Sequence, residues 1–308
     1  MPSKAVCGSV VSRFALQLHT FGNTYRAFMN RPIEPMTQDQ NVPLGRFARS
    51  ICCEDSGDGH FISELPEGWD IMGNANGGHM MAMAANAMLS HCGRVDPVTL
   101  TAHFLKPGRS GTHVIACETV KEGKAFATVR ANMSKDGAPV LALVGAFGQL
   151  GHATQSQLLV DAEPPALPPA EACIEMSGSH ASPAIFKQVE ARLHPDDARY
   201  AEGTPSGVAQ MRGWFRLKDG EPMTTRSLLF ALDAFPPTIF NANLPTKWTP
   251  TVEMTAHIRA QPSPGWLRAR FTTRFMTGGF LEEDGELWDA SGRLVAQSRQ
   301  LALVPLGA

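Results

Sequence analysis

The chain has 308 residues, of which 43% are hydrophobic and 18% charged, as in a globular protein of about two domains. Its 27 basic and 29 acidic residues give a net charge of −2, which argues against a nucleic-acid binder that relies on a basic face. No stretch approaches the ~18 uninterrupted apolar residues of a membrane-spanning helix. The six cysteines form no CxxC pair, so we expect no metal site and a reducing, cytoplasmic setting.

The first 35 residues contain four basic side chains and no acid until Glu34, with scattered serines and threonines. This composition resembles that of an organellar transit peptide. A disordered tail, or an upstream extension before a start at Met36, fits the same composition. We treat residues 1–40 as a tail that we expect to be disordered.

The first half of the chain, which we predict to be a domain at residues 41–150, begins with short apolar segments around 47–52 and 61–65. A glycine-rich turn then leads into a helix predicted at 79–89. This helix is apolar nearly all round, so it must be enclosed by the rest of the fold. Turn dipeptides separate the strand-like segments that follow, which are 98–105, 112–121, 125–134 and 140–149.

A proline-rich stretch, residues 151–183, is predicted to be an inter-domain linker. Its core, residues 161–169, has four prolines in nine residues. Proline fixes φ and removes a backbone donor, so neither a helix nor a central strand is expected there.

The second half, predicted to be a domain at residues 184–308, has the same order of elements. A strand-like segment at 210–217 precedes a short helix at 226–234, which stops before Pro236 and Pro237. The strand-like segments that follow are 251–259, 267–276, 285–289 and 294–304.

The two halves align at a near-constant offset. Thr101-Ala102-His103 matches Thr255-Ala256-His257 at an offset of 154, and Gly111 and Phe126 match glycine and phenylalanine at the same offset. This repeat indicates an internal duplication. We therefore predict an α+β protein in which each half wraps an antiparallel sheet around one central helix.

Three stretches of the first half carry a family resemblance: Asn76-Gly77-Gly78-His79, the segment 101–108, and Ala146-Phe147-Gly148. With them the chain resembles the double-hotdog acyl-CoA thioesterases, of which the bacterial type II enzymes are the best known. The resemblance covers roughly residues 45–305 and implies two hotdog domains in tandem. It implies acyl-CoA as substrate and partner and leaves a homo-oligomer possible, and we expect no cofactor. The charge balance and the lack of a long apolar stretch already argue against nucleic-acid and membrane partners.

The resemblance also implies a site that activates water with an Asp on the second helix, a Thr or Ser on the next strand and a Gln on the last strand. The matching residues here are Asp233, Thr251 and Gln300. The equivalent positions of the first half hold His79 and Gly145 in place of the Asp and the Gln, so we expect one active site per chain.

These residue types are suited to activating a water for thioester hydrolysis. Asp233 follows an apolar segment near a helix C-terminus, and both surroundings raise a carboxyl pKa towards the range of a general base. A surface Asp that caps a turn would have the same local sequence. Thr251 and Gln300 can hold a water by hydrogen bonds, although Thr is also an ordinary strand residue.

By the same resemblance, the start of the first helix faces Asp233 and binds the thioester oxygen through Gly77, Gly78 and His79. Backbone N–H groups at a helix N-terminus lack partners and point outward, and glycines let a ligand come close to them. A plain glycine-rich helix entry is the alternative. His103 and His257 occur in both copies of the repeat, so we expect them to be structural.

Other functions remain open from the sequence. A non-catalytic acyl-CoA-binding hotdog would keep the glycine-rich helix start but lack the water-holding set. A hotdog enoyl-CoA hydratase is less favoured because its motif, with Asp and His five residues apart, is absent. A serine hydrolase would need Gly-x-Ser-x-Gly, which the sequence also lacks.

Overall fold

The structure is a computed structural model that describes residues 44–150, 161–177, 182–244 and 248–304. The predicted tail at 1–40 and part of the predicted linker lie outside the described residues.

The main helix of the first half is α2, Gly77–Cys92, which follows a short helix α1 at Arg46–Ser50. Asn76 caps α2, since its side-chain oxygen accepts a hydrogen bond of 2.8 Å from the His79 N–H. The helix ends at Gly93, whose φ of 62° gives the left-handed conformation that suits a helix C-terminus. Residues 80–85 are all buried, which confirms that the apolar helix is enclosed.

The strands of the first half lie against one side of α2. They are β1 (Glu54–Gly57), β2 (His60–Leu65), β5 (Asp96–Phe104), β6 (Gly111–Glu122), β7 (Ala127–Lys135) and β8 (Ala138–Gly148), while β3 (Asp70–Ile71) and β4 (Asn74–Ala75) form a separate small hairpin. The four long strands fall at the predicted positions, because the hydrophobic alternation and the turn dipeptides between them define strands locally.

The second half has the same plan around its central helix α4, Thr225–Ala231, with a shorter helix α3 at Pro195–Ala198. Its strands are β9 (Ile174–Glu175), β10 (Val189–Leu193), β11 (Gln210–Leu217), β12 (Thr251–Ile258), β13 (Leu267–Thr272), β14 (Met276–Thr277), β15 (Phe280–Trp288) and β16 (Leu294–Leu303). The segment predicted as one strand at 267–276 is therefore two strands, and the strand predicted at 285–289 begins at Phe280.

All strands except β3 and β4 belong to one antiparallel sheet. Its order is β1-β2-β6-β7-β8-β5-β12-β16-β15-β13-β11-β10-β9, with β14 paired to β15. The order on one side of the β5–β12 pair repeats on the other side, so the sheet is made of two copies joined edge to edge. This confirms the predicted α+β class with an antiparallel sheet and a central helix in each half.

The joint between the copies is centred on two residues related by the repeat. Thr101 and Thr255 are register partners across β5 and β12, and their hydroxyl oxygens lie 2.9 Å apart in a hydrogen bond. A residue that pairs with its own repeat equivalent marks a local two-fold axis, and the offset of 154 in the sequence thus corresponds to a symmetry of the fold.

The described part of the predicted linker lies against the second half. The indole N–H of Trp214 donates to the carbonyl oxygen of Pro168 at 2.9 Å, and Pro165 is buried. No helix or strand forms over residues 161–169, as the prolines predict, whereas β9 adds to the sheet beside β10.

The two central helices pack against each other. An added Cβ at Gly78 of α2 would lie 2.6 Å from the carbonyl oxygen of Leu229 in α4 and 2.8 Å from the Cβ of Asp233. Only glycine permits this approach, and the contact brings the start of α2 to the residues that follow α4.

Candidate active site

A cavity of about 860 Å³ opens where the start of α2 meets the residues that follow α4. Both halves of the chain line it. The first half contributes Asn76, Gly77 and residues 104–108, and the second half contributes segments around 174–176, 198–201, 233–237 and 248–251 and the inner faces of β15 and β16. Six aromatic side chains form part of its wall: Phe104, Phe186, Tyr200, Phe235, Phe240 and Trp248.

Asp233 lies on this wall, two residues beyond the end of α4. One carboxylate oxygen, Oδ2, accepts a hydrogen bond of 2.8 Å from the Gly78 N–H and one of 3.1 Å from Asn76 Nδ2. Asn76 Nδ2 also donates to the carbonyl oxygen of Asp233 at 2.7 Å. The first half of the chain therefore fixes the carboxylate of the second half in position.

Two opposing effects act on the Asp233 carboxyl. Burial favours its neutral form, and the nearby negative charge of Glu283 acts in the same direction. Hydrogen bonds from Gly78, Gly77 and Asn76, together with the positive end of the α2 dipole, favour the carboxylate. Burial dominates and raises the pKa of Asp233 to about 6. A carboxylate with this proton affinity is suited to act as a general base near neutral pH.

Thr251 and Gln300 line the same cavity. The Thr251 hydroxyl donates to Gln300 Oε1 at 3.0 Å, so the two side chains form one hydrogen-bonded unit. Gln300 lies on the inner face of β16 with Ser298, as the alternation of that strand predicts. The structure thus brings together the three residues proposed for water activation around one cavity.

Thr251 reaches the cavity because of a bulge in β12. The register with β16 shifts between Thr251 and Glu253, so Thr251 pairs with Ala302 while Glu253 pairs with Leu301. Without this shift, regular alternation would place Thr251 on the outer face with Glu253 and Thr255. A β-bulge re-aims a side chain in this way and is common beside active sites.

Glu283 is a further residue at the site that was not predicted from the sequence. Its side chain is 4% exposed and lines the cavity. Its carboxylate accepts hydrogen bonds from Gln300 Nε2 at 2.7 Å and from the Thr238 N–H at 2.8 Å, and burial raises its pKa. The alternation of β15, which places Glu283 on the same face as Leu281 and Leu287, is a signal in the sequence that could have revealed it.

The structure separates the three residues predicted at the start of α2. Gly77 lines the cavity, and the Gly78 N–H is bound by Asp233. The His79 N–H is bound by Asn76, and its imidazole is fully buried, stacks on Trp69 with a ring distance of 4.5 Å and lies 2.8 Å from the Ser50 hydroxyl. Burial lowers the pKa of His79 to about 3. The N–H groups of Gly78 and His79 therefore both have partners within the protein, and the contact of these residues with substrate stays a prediction.

The repeated histidines lie elsewhere. His103 and His257 are exposed on the strands that join the two halves, and neither lines the cavity. Within the described ranges no cluster of three or more His, Cys, Asp or Glu side chains could hold a metal ion. In the same ranges no helix has the length and apolar character needed to cross a membrane.

Two family models match the chain in the order of its halves. Residues 65–148 match the acyl-CoA thioesterase N-terminal domain, and residues 161–304 match the acyl-CoA thioesterase C-terminal domain. The chain belongs to the acyl-CoA thioesterase family. The two matches together cover more than half of this thioesterase-family protein, and residues 149–160 lie between them.

Solved structures agree with this. A Thermobifida fusca protein assigned as a thioesterase II is 30% identical, with a TM-score of 0.77, and the match covers 85% of this chain and 98% of that one. A hotdog-fold protein from Alicyclobacillus acidocaldarius has a TM-score of 0.75 at 22% identity, with 86% and 100% of the two chains covered. The predicted tandem hotdog fold is thereby confirmed.

Relatives of the thioesterase-family chain are also found by sequence. An uncharacterized protein of Mycobacterium tuberculosis is 28% identical over 266 residues, which is 80% of this chain and 91% of that protein. The thioesterase-like protein TwmA of Talaromyces wortmannii is 26% identical over 303 residues, with 78% and 86% of the two chains covered.

Proposed function

We propose that the protein hydrolyses acyl-CoA thioesters to a free acid and CoA, with Asp233, Thr251 and Gln300 activating the attacking water. The observation that supports this most directly is the setting of Asp233. Its carboxylate is held by donors from the other half of the chain, faces a large cavity and has a pKa raised to about 6. An ordinary surface Asp would have none of these features.

In the proposed reaction, Asp233 accepts a proton from a water that Thr251 and Gln300 hold beside it. The water oxygen attacks the thioester carbonyl carbon, and the carbonyl oxygen becomes an oxyanion. The C–S bond then breaks, and the CoA sulfur leaves with a proton, which regenerates the Asp233 carboxylate. Gln300 Nε2 carries two protons, so it can donate to Glu283 and still donate to the water.

The oxyanion is proposed to form beside Gly77, which lies on the cavity wall at the N-terminus of α2. Gly77 is close to the base, since an added Cβ there would lie 3.1 Å from Asp233 Oδ2, although the Phe104 ring would be nearer still at 2.6 Å. Gly78 has a different proposed role, which is to hold Asp233 through its N–H.

The apolar and aromatic wall of the cavity is proposed to hold the acyl group. CoA carries phosphates, which basic residues bind, and Lys106 is an exposed basic residue that lines the cavity. By contrast, Arg212 forms an ion pair with Asp197, and Arg226 is largely buried beside Asn86. We therefore propose Lys106 as a phosphate contact.

The test is a panel of acyl-CoA thioesters of different length and branching, assayed by release of free thiol for the native protein and for Asp233→Asn. Asn has nearly the same shape and can still accept from Gly78, but it cannot take a proton from water. We expect Asp233→Asn to lower kcat/KM by about 10²–10⁴-fold, the range of general-base catalysis. Asp219→Asn, at an exposed position, is the matched control and should leave the rate unchanged.

Two outcomes would contradict the proposal. Native protein that releases no thiol from any member of the panel is not an acyl-CoA thioesterase, and if it still binds acyl-CoA in a calorimeter it is a non-catalytic binder. Full activity in Asp233→Asn would exclude Asp233 as the base.

A further inference from the structure

A buried acid beside the proposed site has no role in the mechanism described above. Strand β15 carries four acidic residues, and its alternation sends three of them to the outer face. Each of these three is paired with arginine: Glu282 and Asp284 with Arg274, and Glu286 with Arg270. The fourth, Glu283, points inward and is 4% exposed.

The surroundings of Glu283 raise the free energy of its charged form. Its hydrogen-bond partners among the described residues are Thr238 and Gln300, and both residues are neutral donors. The charged group that acts on it most directly is Glu282, which has the same sign. A buried carboxylate without a cation lowers stability, so the position calls for a functional explanation.

The contacts of Glu283 determine the orientation of Gln300. A carboxylate can only accept hydrogen bonds, so the end of the Gln300 carboxamide that faces Glu283 must be the NH₂ group. The oxygen end then faces Thr251 and accepts its hydroxyl proton. The Thr251 oxygen is consequently left as an acceptor, and the second proton of Gln300 Nε2 as a donor, for a water.

We propose that Glu283 is a positioning residue that fixes which end of the Gln300 carboxamide meets the reacting water. This inference rests on the proposed function and adds to it a residue that acts through Gln300. Without Glu283, the two ends of the carboxamide are nearly equal in size, and Gln300 can turn over. A turned Gln300 would present its oxygen where the water needs a donor.

Glu283 has a second effect that the same variants can measure. The groups that act on Asp233 are the N–H groups of Gly77 and Gly78 and the amide of Asn76, which lower its pKa, and Glu283, which raises it. Loss of the Glu283 charge should therefore move the pKa of Asp233 downward. A residue that only packs against its neighbours would not produce this change.

The experiment compares Glu283→Gln with Glu286→Gln, its counterpart on the outer face of the same strand, using an acyl-CoA that the native protein hydrolyses. In Glu283→Gln the introduced carboxamide can still accept from the Thr238 N–H, but it then presents an NH₂ group to Gln300 and favours the turned orientation. We expect kcat to fall about 10–100-fold with KM changed less than about threefold, the cost of one misplaced hydrogen-bond donor at a reacting group. The acid limb of the pH profile should also move to lower pH, and Glu286→Gln should show neither change.

Glu283→Asp keeps the charge but shortens its reach to Gln300. We expect it to lower kcat while the acid limb stays near its native position, and it provides the test if Glu283→Gln does not fold. Native kcat and a native pH profile in Glu283→Gln, or native kcat in Glu283→Asp, would overturn the proposal. These outcomes differ from failure of the proposed function, in which the native protein itself releases no thiol.

Discussion

The carboxylate of Asp233, from the second half of the chain, accepts a hydrogen bond of 2.8 Å from the backbone N–H of Gly78, from the first half. Gly78 lies in the first turn of the central helix of one hotdog, and Asp233 follows the central helix of the other. Both halves of the duplicated fold thus line one cavity.

The pH dependence of activity should report Asp233. Its pKa is raised to about 6, and a general base must be ionised to accept a proton. We expect kcat/KM to rise about tenfold per pH unit below about pH 6 and to level off above it. The measurement follows loss of thioester absorbance, which does not depend on a thiol reagent. A profile that stays flat down to about pH 5 would contradict the role of Asp233 as base.

Loss of the Thr251 hydroxyl should reduce the rate without unfolding the protein. Thr251→Val keeps the shape but removes the donor to Gln300 Oε1. We expect kcat to fall about 5–30-fold, the equivalent of about 1–2 kcal/mol for one hydrogen bond. The same substitution at Thr255, on the same strand but at the joint between the halves, should lower stability slightly and leave kcat unchanged. Equal effects on kcat would argue against a specific role for Thr251.

Gly78→Ala should separate the two central helices. The added methyl would lie 2.6 Å from the Leu229 carbonyl oxygen and 2.8 Å from the Asp233 Cβ, so one helix must shift. We expect a loss of about 1–3 kcal/mol in the free energy of unfolding, as for other overpacked positions, together with a large loss of activity. Chemical denaturation and thiol release measure the two effects. Ser90→Ala, at an exposed position of the same helix, should change neither.

The two halves should also be held together by Asp96. This buried residue at the start of β5 accepts hydrogen bonds from Thr225 Oγ1 at 2.9 Å and Gln261 Nε2 at 2.6 Å in the second half, and from the Leu150 N–H at 2.9 Å. Asp96→Ala leaves three donors without this acceptor. Each buried donor left without an acceptor costs about 1–3 kcal/mol, so we expect the free energy of unfolding to fall by about 3–5 kcal/mol in urea denaturation.

A surface acid provides the comparison for Asp96. Glu118 forms an ion pair with Arg130, and both side chains are more than half exposed. Glu118→Ala should therefore cost no more than about 1 kcal/mol. Similar costs at the two positions would show that the Asp96 network does not hold the halves together.

The sequence by itself determined the repeat, the element order and the residue types of the site. The apolar helix from Met80, the turn dipeptides between strands and the offset of 154 between Thr101 and Thr255 are local or periodic signals. Such signals depend on backbone preferences and on the burial of one face, and both can be read along a single chain. The inward position of Gln300 follows from the same alternation.

Only the tertiary structure decided how these parts meet. A bulge turns Thr251 inward against the regular alternation of β12, and Gly78 and His79 have their N–H groups bound by Asp233 and Asn76. Glu283 became part of the site because β15 and β16 lie side by side and place it against Gln300. Each of these relationships joins residues through the packing of two helices or through strand register, which local preferences do not specify.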